Sequence, residues 1–158
     1  MFKNRRSGQA VVEVALMMPW LAFLFVGVLD FGFYSYAAIC TQNAARAAAM
    51  QTSKDTSSQL ATIACVAALG ELKGLPNMIG VASCATSVAG ITPSLPVAVS
   101  IAALTNATTP PCADCSLNAF AKSTQAFVTY QTLPMVPIPG VLMGQLTLTR
   151  VAEVRVRQ

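Results

Sequence analysis

The sequence predicts an α+β protein built from a long N-terminal transmembrane helix, a second short helix and a small antiparallel sheet of three strands. Three observations predict it. First, an uncharged apolar run from Val14 to Leu29 passes into an alanine-rich stretch that holds no proline as far as Met50. Second, the hydrophobic period is helical in the first half and alternating in the second. Third, the chain is 54% hydrophobic and only 10% charged. Few water-soluble domains of this length carry so little charge, so part of its surface faces something other than water.

The elements follow in order. As a helix, Val14–Leu29 spans roughly 24 Å, and extension to Phe33 approaches the roughly 30 Å of a bilayer core. Lys3, Arg5 and Arg6 precede the run with no acid among them, which places the N-terminus in the cytoplasm and the rest outside. Beyond Asp30 the helix continues to about Met50, roughly 60 Å in all. Tyr34 and Tyr36 suit the membrane interface. Ala37, Ala44 and Ala48 share one face, with Asn43 and Arg46 off it. Pro19 lies inside the span, where a missing backbone donor kinks a helix.

The polar "QTSKDTSSQ" reads as a linker or cap, with Ser57 or Ser58 capping a second helix from about Gln59 to Leu72. Leu60, Ile63, Ala64, Ala67 and Leu69 are expected on its buried face, and "GLPNMIG" is expected to turn. Strand one then places Val97, Val99 and Ile101 on one face. Strand two opposes Val128 and Tyr130 to Phe127 and Thr129. In strand three, Leu146, Leu148, Ala152, Val154 and Val156 oppose Thr147, Thr149, Glu153, Arg155 and Arg157. Arg150 falls on the apolar side, which fits a sheet margin or a bulge. The proline-rich "LPMVPIPGVLMG" excludes a central strand and reads as a wide connection over the sheet edge, or as a contact with membrane or a neighbouring subunit.

The net charge of +4 does not indicate a nucleic-acid partner. Three of the ten basic residues lie in the first six positions, leaving seven against six acids, a net of +1. Of the five cysteines, Cys65, Cys84, Cys112 and Cys115 fall in the part placed outside the cytoplasm, where disulfides persist. The favoured pairing is Cys65–Cys84 and Cys112–Cys115, with Cys40 left over. Cys112-Ala-Asp-Cys115 also admits a redox dithiol or part of a zinc site, though the chain has no histidine. With scattered acids and no glycine-rich phosphate loop, no catalytic set, cofactor or metal is expected.

One residue breaks the apolar run. Glu13 stands five positions after Gly8, and a carboxylate within a membrane helix is costly and marks function. Cleavage after Gly8 would make Gln9 the first residue, with a new α-amino cation. Glu13 of a neighbouring copy or related protein could pair with it, aligning two helices in lipid. The plainer alternative is a carboxylate at the headgroups, favoured by the helix dipole. Gly8, lacking a side chain, suits entry of an extended backbone into a protease site.

The basic "KNRRSG", the Gly-x4-Glu spacing and the apolar helix after it resemble a class III prepilin signal. The stretch carrying Gly8-Gln9-Ala10, Glu13, Ala15, Leu16, Pro19, Asp30-Phe31-Gly32 and Asn43-Ala44-Ala45-Arg46 resembles the TadE-like family. These are minor pseudopilins of the tight-adherence (Tad) pilus, in the type IV pilus superfamily. The C-terminal "LTLTRVAEVRV" after a proline-rich segment is also similar, whereas the middle of the chain is placed only by order and length. Val14 departs from the related major Tad pilins, which have tyrosine after the glutamate.

The resemblance implies a leader at 1–8, a transmembrane and projecting helix at 9–50 and an extracytoplasmic α+β domain at 51–158. It implies cleavage between Gly8 and Gln9 by a prepilin peptidase. From their own chemistry, Glu13 is read as serving assembly and Asp30 as a helix-packing contact with Arg46 of another subunit. The resemblance further implies an inner-membrane location and a role in pilus assembly, adhesion and biofilm formation. The partners implied are other Tad pilins and pseudopilins and the inner-membrane assembly platform. Two other readings remain at this point. One is an uncleaved single-pass envelope protein that binds a partner, and the other is a thiol oxidoreductase using Cys112 and Cys115.

Overall fold

A computed structural model of the chain describes residues 7–54, 59–104, 123–134 and 144–156. The basic residues Lys3, Arg5 and Arg6, the caps Ser57 and Ser58, Cys112 and Cys115, Arg157 and most of the proline-rich connection lie outside the described residues.

Helix α1 runs from Ser7 to Thr52, 46 residues, and passes through Pro19 without interruption. At about 1.5 Å per residue it is about 70 Å long. Its two halves have different surroundings. From Gly8 to Phe25 every side chain is exposed, whereas Ala37, Thr41, Ala44, Ala45, Ala48, Ala49 and Thr52 are fully buried. The expected Ala37, Ala44 and Ala48 face is therefore present and broader than the sequence pattern showed, with Asn43 and Arg46 exposed as expected. Small residues let the neighbouring elements approach closely. The two threonines keep this face free of unpaired hydroxyls by bonding back along the helix: Thr41 Oγ1 donates to the Ala37 carbonyl at 2.7 Å, and Thr52 Oγ1 to that of Ala48 at 2.9 Å.

Helix α2, Ala61–Leu72, packs on that face. Leu60 is its extended N-cap residue and is exposed, although its carbonyl accepts from the amides of Ile63 and Ala64, both at 3.1 Å. The buried face is Ala64, Cys65, Ala68, Leu69 and Leu72. It is rotated from the expected face, because Ile63 and Ala67 are only half-buried. The helix is apolar nearly all round, so periodicity gives little phase. The Cys65–Cys84 disulfide, with its Cα atoms 5.9 Å apart, ties Cys65 inward instead. Two short 3-10 turns, Pro76–Met78 and Val88–Gly90, lead to the sheet.

Strands β1 (Val97–Leu104), β2 (Ser123–Gln131) and β3 (Thr147–Arg155) form an antiparallel meander in the order β1-β2-β3. One sheet face covers α1: Val97, Val99, Ala126, Val128, Tyr130 and Leu148 join the alanines in a single core. Pairing of β2 with β3 is continuous from Ser123↔Arg155 to Gln131↔Thr147. Arg150, opposite Val128, therefore marks no bulge. It is half-buried on an edge strand, where a long basic side chain lays its stem on the core and carries its charge past the margin. On the other edge, Ala85 forms a parallel bridge to β1, donating to Val97 O at 2.8 Å and accepting from Val99 N at 2.9 Å.

Polar contacts fix the two ends of the domain along α1. At the far end Thr52 Oγ1 lies 3.4 Å from Thr124 Oγ1. At the end nearer the bare half, Tyr130 Oη donates to Asn77 Oδ1, and Asn77 Nδ2 donates to Gln131 O at 2.8 Å. Thr132 closes the base of the β2–β3 connection: its amide donates to Leu146 O at 2.9 Å and its hydroxyl accepts from Leu146 N at 3.0 Å. Gly74 sits so near α1 that a Cβ there would be 2.8 Å from the Tyr36 hydroxyl oxygen.

Burial pushes the Tyr130 phenol up to about 12 from an ordinary 10.0. The unfolded chain ionises this group near its ordinary value, and the folded chain resists. The stabilisation is therefore complete below pH 10 and is lost as pH rises toward 12, by up to about 1.4 kcal/mol per pH unit. Thermal unfolding of wild type against Tyr130→Phe should show a difference in stability that shrinks across this range. A constant difference would refute the assignment.

Candidate functional site

The functional features collect on the half of α1 that the domain leaves bare. Val11, Val12, Val14, Leu16, Met17, Met18, Trp20, Leu21, Phe23, Leu24 and Phe25 are all exposed. They point in every direction around the helix. A helix that is apolar on all sides needs an apolar medium on all sides. The segment is long and apolar enough to cross a membrane and starts near the N-terminus.

Within it, Glu13 is the one charge between Gly8 and Leu29. It is exposed, and Gln9 Nε2 on the same helix reaches its Oε1 only at 3.5 Å, the outer limit of a hydrogen bond. Its carboxylate thus retains nearly all of its capacity for another donor. Gly8, at the start of the helix, has open space on all sides of a notional Cβ. Packing among the described residues does not demand glycine there. Pro19 lies between these residues and Asp30, within the same helix.

Asp30 differs from Glu13. It is half-buried, and its Oδ2 is shielded from solvent without a hydrogen-bond partner among the described residues. An unpaired buried carboxylate oxygen is expensive, and a donor from outside the chain would relieve the cost. Arg46 is exposed on α1 itself. Sixteen residues of helix, about 24 Å, separate them, so the two do not meet within one chain.

The cysteines divide. Cys65 and Cys84 are joined, Cys40 is free and half-buried, and Cys112 and Cys115 lie outside the described residues. No group of three or more potential metal ligands occurs among the described residues. Sequence reasoning missed the Tyr130–Asn77–Gln131 tie, because an asparagine in a turn carries no signal of its distant partner. It also missed the small face's extension through Thr41, Ala45, Ala49 and Thr52, although helical spacing from Ala37 contained it.

With that geometry established, residues 8–50 match the family described as TadE-like protein, the same family that the N-terminal motif resembles. The matched segment is α1 almost end to end. It relates the helix to proteins of the Tad pilus, whose TadE-like members are structural. No curated protein and no solved structure matches the chain.

Because Asp30 makes no hydrogen bond through Oδ2 among the described residues, its loss should not unfold the domain. Asp30→Asn, which removes the unpaired charge, should be at least as stable as wild type in thermal unfolding in detergent. A loss of several kcal/mol would reveal an intramolecular partner and remove the carboxylate from the assembly surface.

Proposed function

We propose that this chain is a minor pseudopilin of a Tad pilus, processed between Gly8 and Gln9 by a membrane prepilin peptidase and then incorporated at or near the base or tip of the pilus. The observation that carries the proposal is the division of α1. Its C-terminal part is covered by the domain, and the stretch from Gly8 to Phe25 is a bare apolar rod, whose Glu13 carboxylate has only the long contact from Gln9 among the described residues. A rod of this kind fits the bilayer before assembly and a bundle of similar helices after it.

Each feature has a part in that passage. No described residue crowds Gly8, and entry of an extended backbone into the peptidase accounts for a glycine there. Cleavage creates an α-amino cation on Gln9, and Glu13 of one subunit pairs with the amino group of another. In lipid such a pair holds two helices in axial register, because breaking it would leave two unpaired charges. Asp30 adds a second polar contact. Its pairing with Arg46 of a neighbour requires an offset of about 24 Å along the helix axis.

This reading places the chain in the bacterial inner membrane as a single-pass protein, with the α+β domain outside. Its partners are the prepilin peptidase, other Tad pilins and pseudopilins, and the inner-membrane assembly platform. Its biological role is adhesion and biofilm formation through the pilus.

Glu13→Ala should insert into the membrane normally, since it removes a charge from an apolar helix. Its recovery with the assembled pilus machinery, by co-purification or in sheared pili, should fall at least about tenfold, the equivalent of about 1.4 kcal/mol in a contact. Wild-type recovery of Glu13→Ala would remove Glu13 from assembly.

A further inference from the structure

We infer that the domain also touches the lipid surface, through a rim formed by Ile79, Leu133 and Lys73. The inference rests on the single-pass reading above and extends it from α1 to the folded domain.

The rim is assembled by the two loops at the end of the domain where the bare half of α1 emerges. Direction along the domain is set by the contacts already described. Thr124, at the start of β2, meets Thr52, the last residue of α1. β2 then runs back along α1 toward the membrane-spanning half. At about 3.3 Å per strand residue against 1.5 Å per helix residue, a strand aligned with α1 would bring Leu133 toward the level of Phe33, the outer limit of the apolar span.

The turn after α2 reaches the same end. Gly74 abuts the Tyr36 hydroxyl, and Asn77 is bonded to Tyr130 and to Gln131 O. Ile79 follows two residues later and is 87% exposed, more than any apolar side chain in the bare half of α1. Leu133 is 40% exposed. Gly80, at φ +81°, reverses the chain immediately after Ile79, so the isoleucine stands at the apex of a tight turn.

A bilayer is the occupant that fits. The rim continues, at the same level, an apolar surface that already requires lipid. Lys73 is exposed in the approach to the same turn and brings a cation to the level of anionic headgroups. An exposed isoleucine and an exposed lysine at this end of the domain suit insertion of an apolar tip between headgroups while the charge stays at the phosphates. The two contacts together would hold the domain down on the membrane before extraction into an assembly.

The test uses the full chain in vesicles of zwitterionic and anionic phospholipid, with bromines on the acyl chains as short-range quenchers. Trp20 is the chain's sole tryptophan. It lies in the bare half of α1, so its quenching in wild type reports that helix in lipid. In a Trp20→Phe background, Ile79→Trp should show blue-shifted emission and lose most of its intensity to brominated lipid. Leu60→Trp, exposed at the opposite end of the domain, should be unaffected. Equal, weak quenching at both sites while Trp20 is quenched would overturn the rim alone. A blue shift at Ile79→Trp that depends on protein density and not on bromine would assign the rim to a second copy, also overturning the inference. An unquenched Trp20 would remove the membrane reading itself, and the rim with it.

Discussion

Close approach to the small-residue face of α1 is the constraint on which the rest of the structure depends. Seven fully buried alanines and threonines, from Ala37 to Thr52, let α2 and the sheet pack against one helix. Alanine loses no rotamer freedom in a helix, and both threonines satisfy their hydroxyls within their own turn. The core that results is thin and contains few large side chains. Tyr130 is the largest of the fully buried ones, and its hydroxyl bond to Asn77 secures the turn after α2. A bulky residue at Ala44 or Ala48, both fully buried, would force the elements packed on α1 outward.

That packed face and the bare half belong to one continuous helix, and this links fold to function. The domain needs only about the last third of α1 to form its core. From Gly8 to Phe25 the side chains are exposed and available to lipid or to other helices. Two carboxylates, Glu13 within this stretch and Asp30 beyond it, have opposite character. Glu13 is open and nearly uncommitted, while Asp30 has an oxygen shielded from water and unpaired among the described residues. A helix built only to anchor the domain has no need of either. A helix that exchanges lipid for neighbouring helices can use both to fix its register.

Much of this was legible in the sequence wherever a pattern repeats over many residues. The length of α1, the alanine face and the alternation of β1, β2 and β3 are of that kind. Arg150 was visible as the residue that breaks alternation, but only the strand order shows why it is tolerated: β3 is an edge, and the pairing passes Arg150 without a bulge. The face of α2 was misplaced because Ala, Val, Ile and Leu surround that helix. Its buried face is Ala64, Cys65, Ala68, Leu69 and Leu72, with Cys65 joined to Cys84. The candidate processing site was legible in a different sense. Gly8 and Glu13 stand out by spacing and chemistry, and the structure adds that neither is packed against another element among the described residues.

The most direct test of the account is the mass of the intact N-terminus of the membrane-extracted chain, from cells with and without the prepilin peptidase. The account requires a chain beginning at Gln9 when the peptidase is present and one retaining Gly8 when it is absent. A chain retaining Gly8 in both would contradict it. The leader would then be a cytoplasmic tail, Glu13 an interfacial charge, and the protein a permanently anchored envelope component.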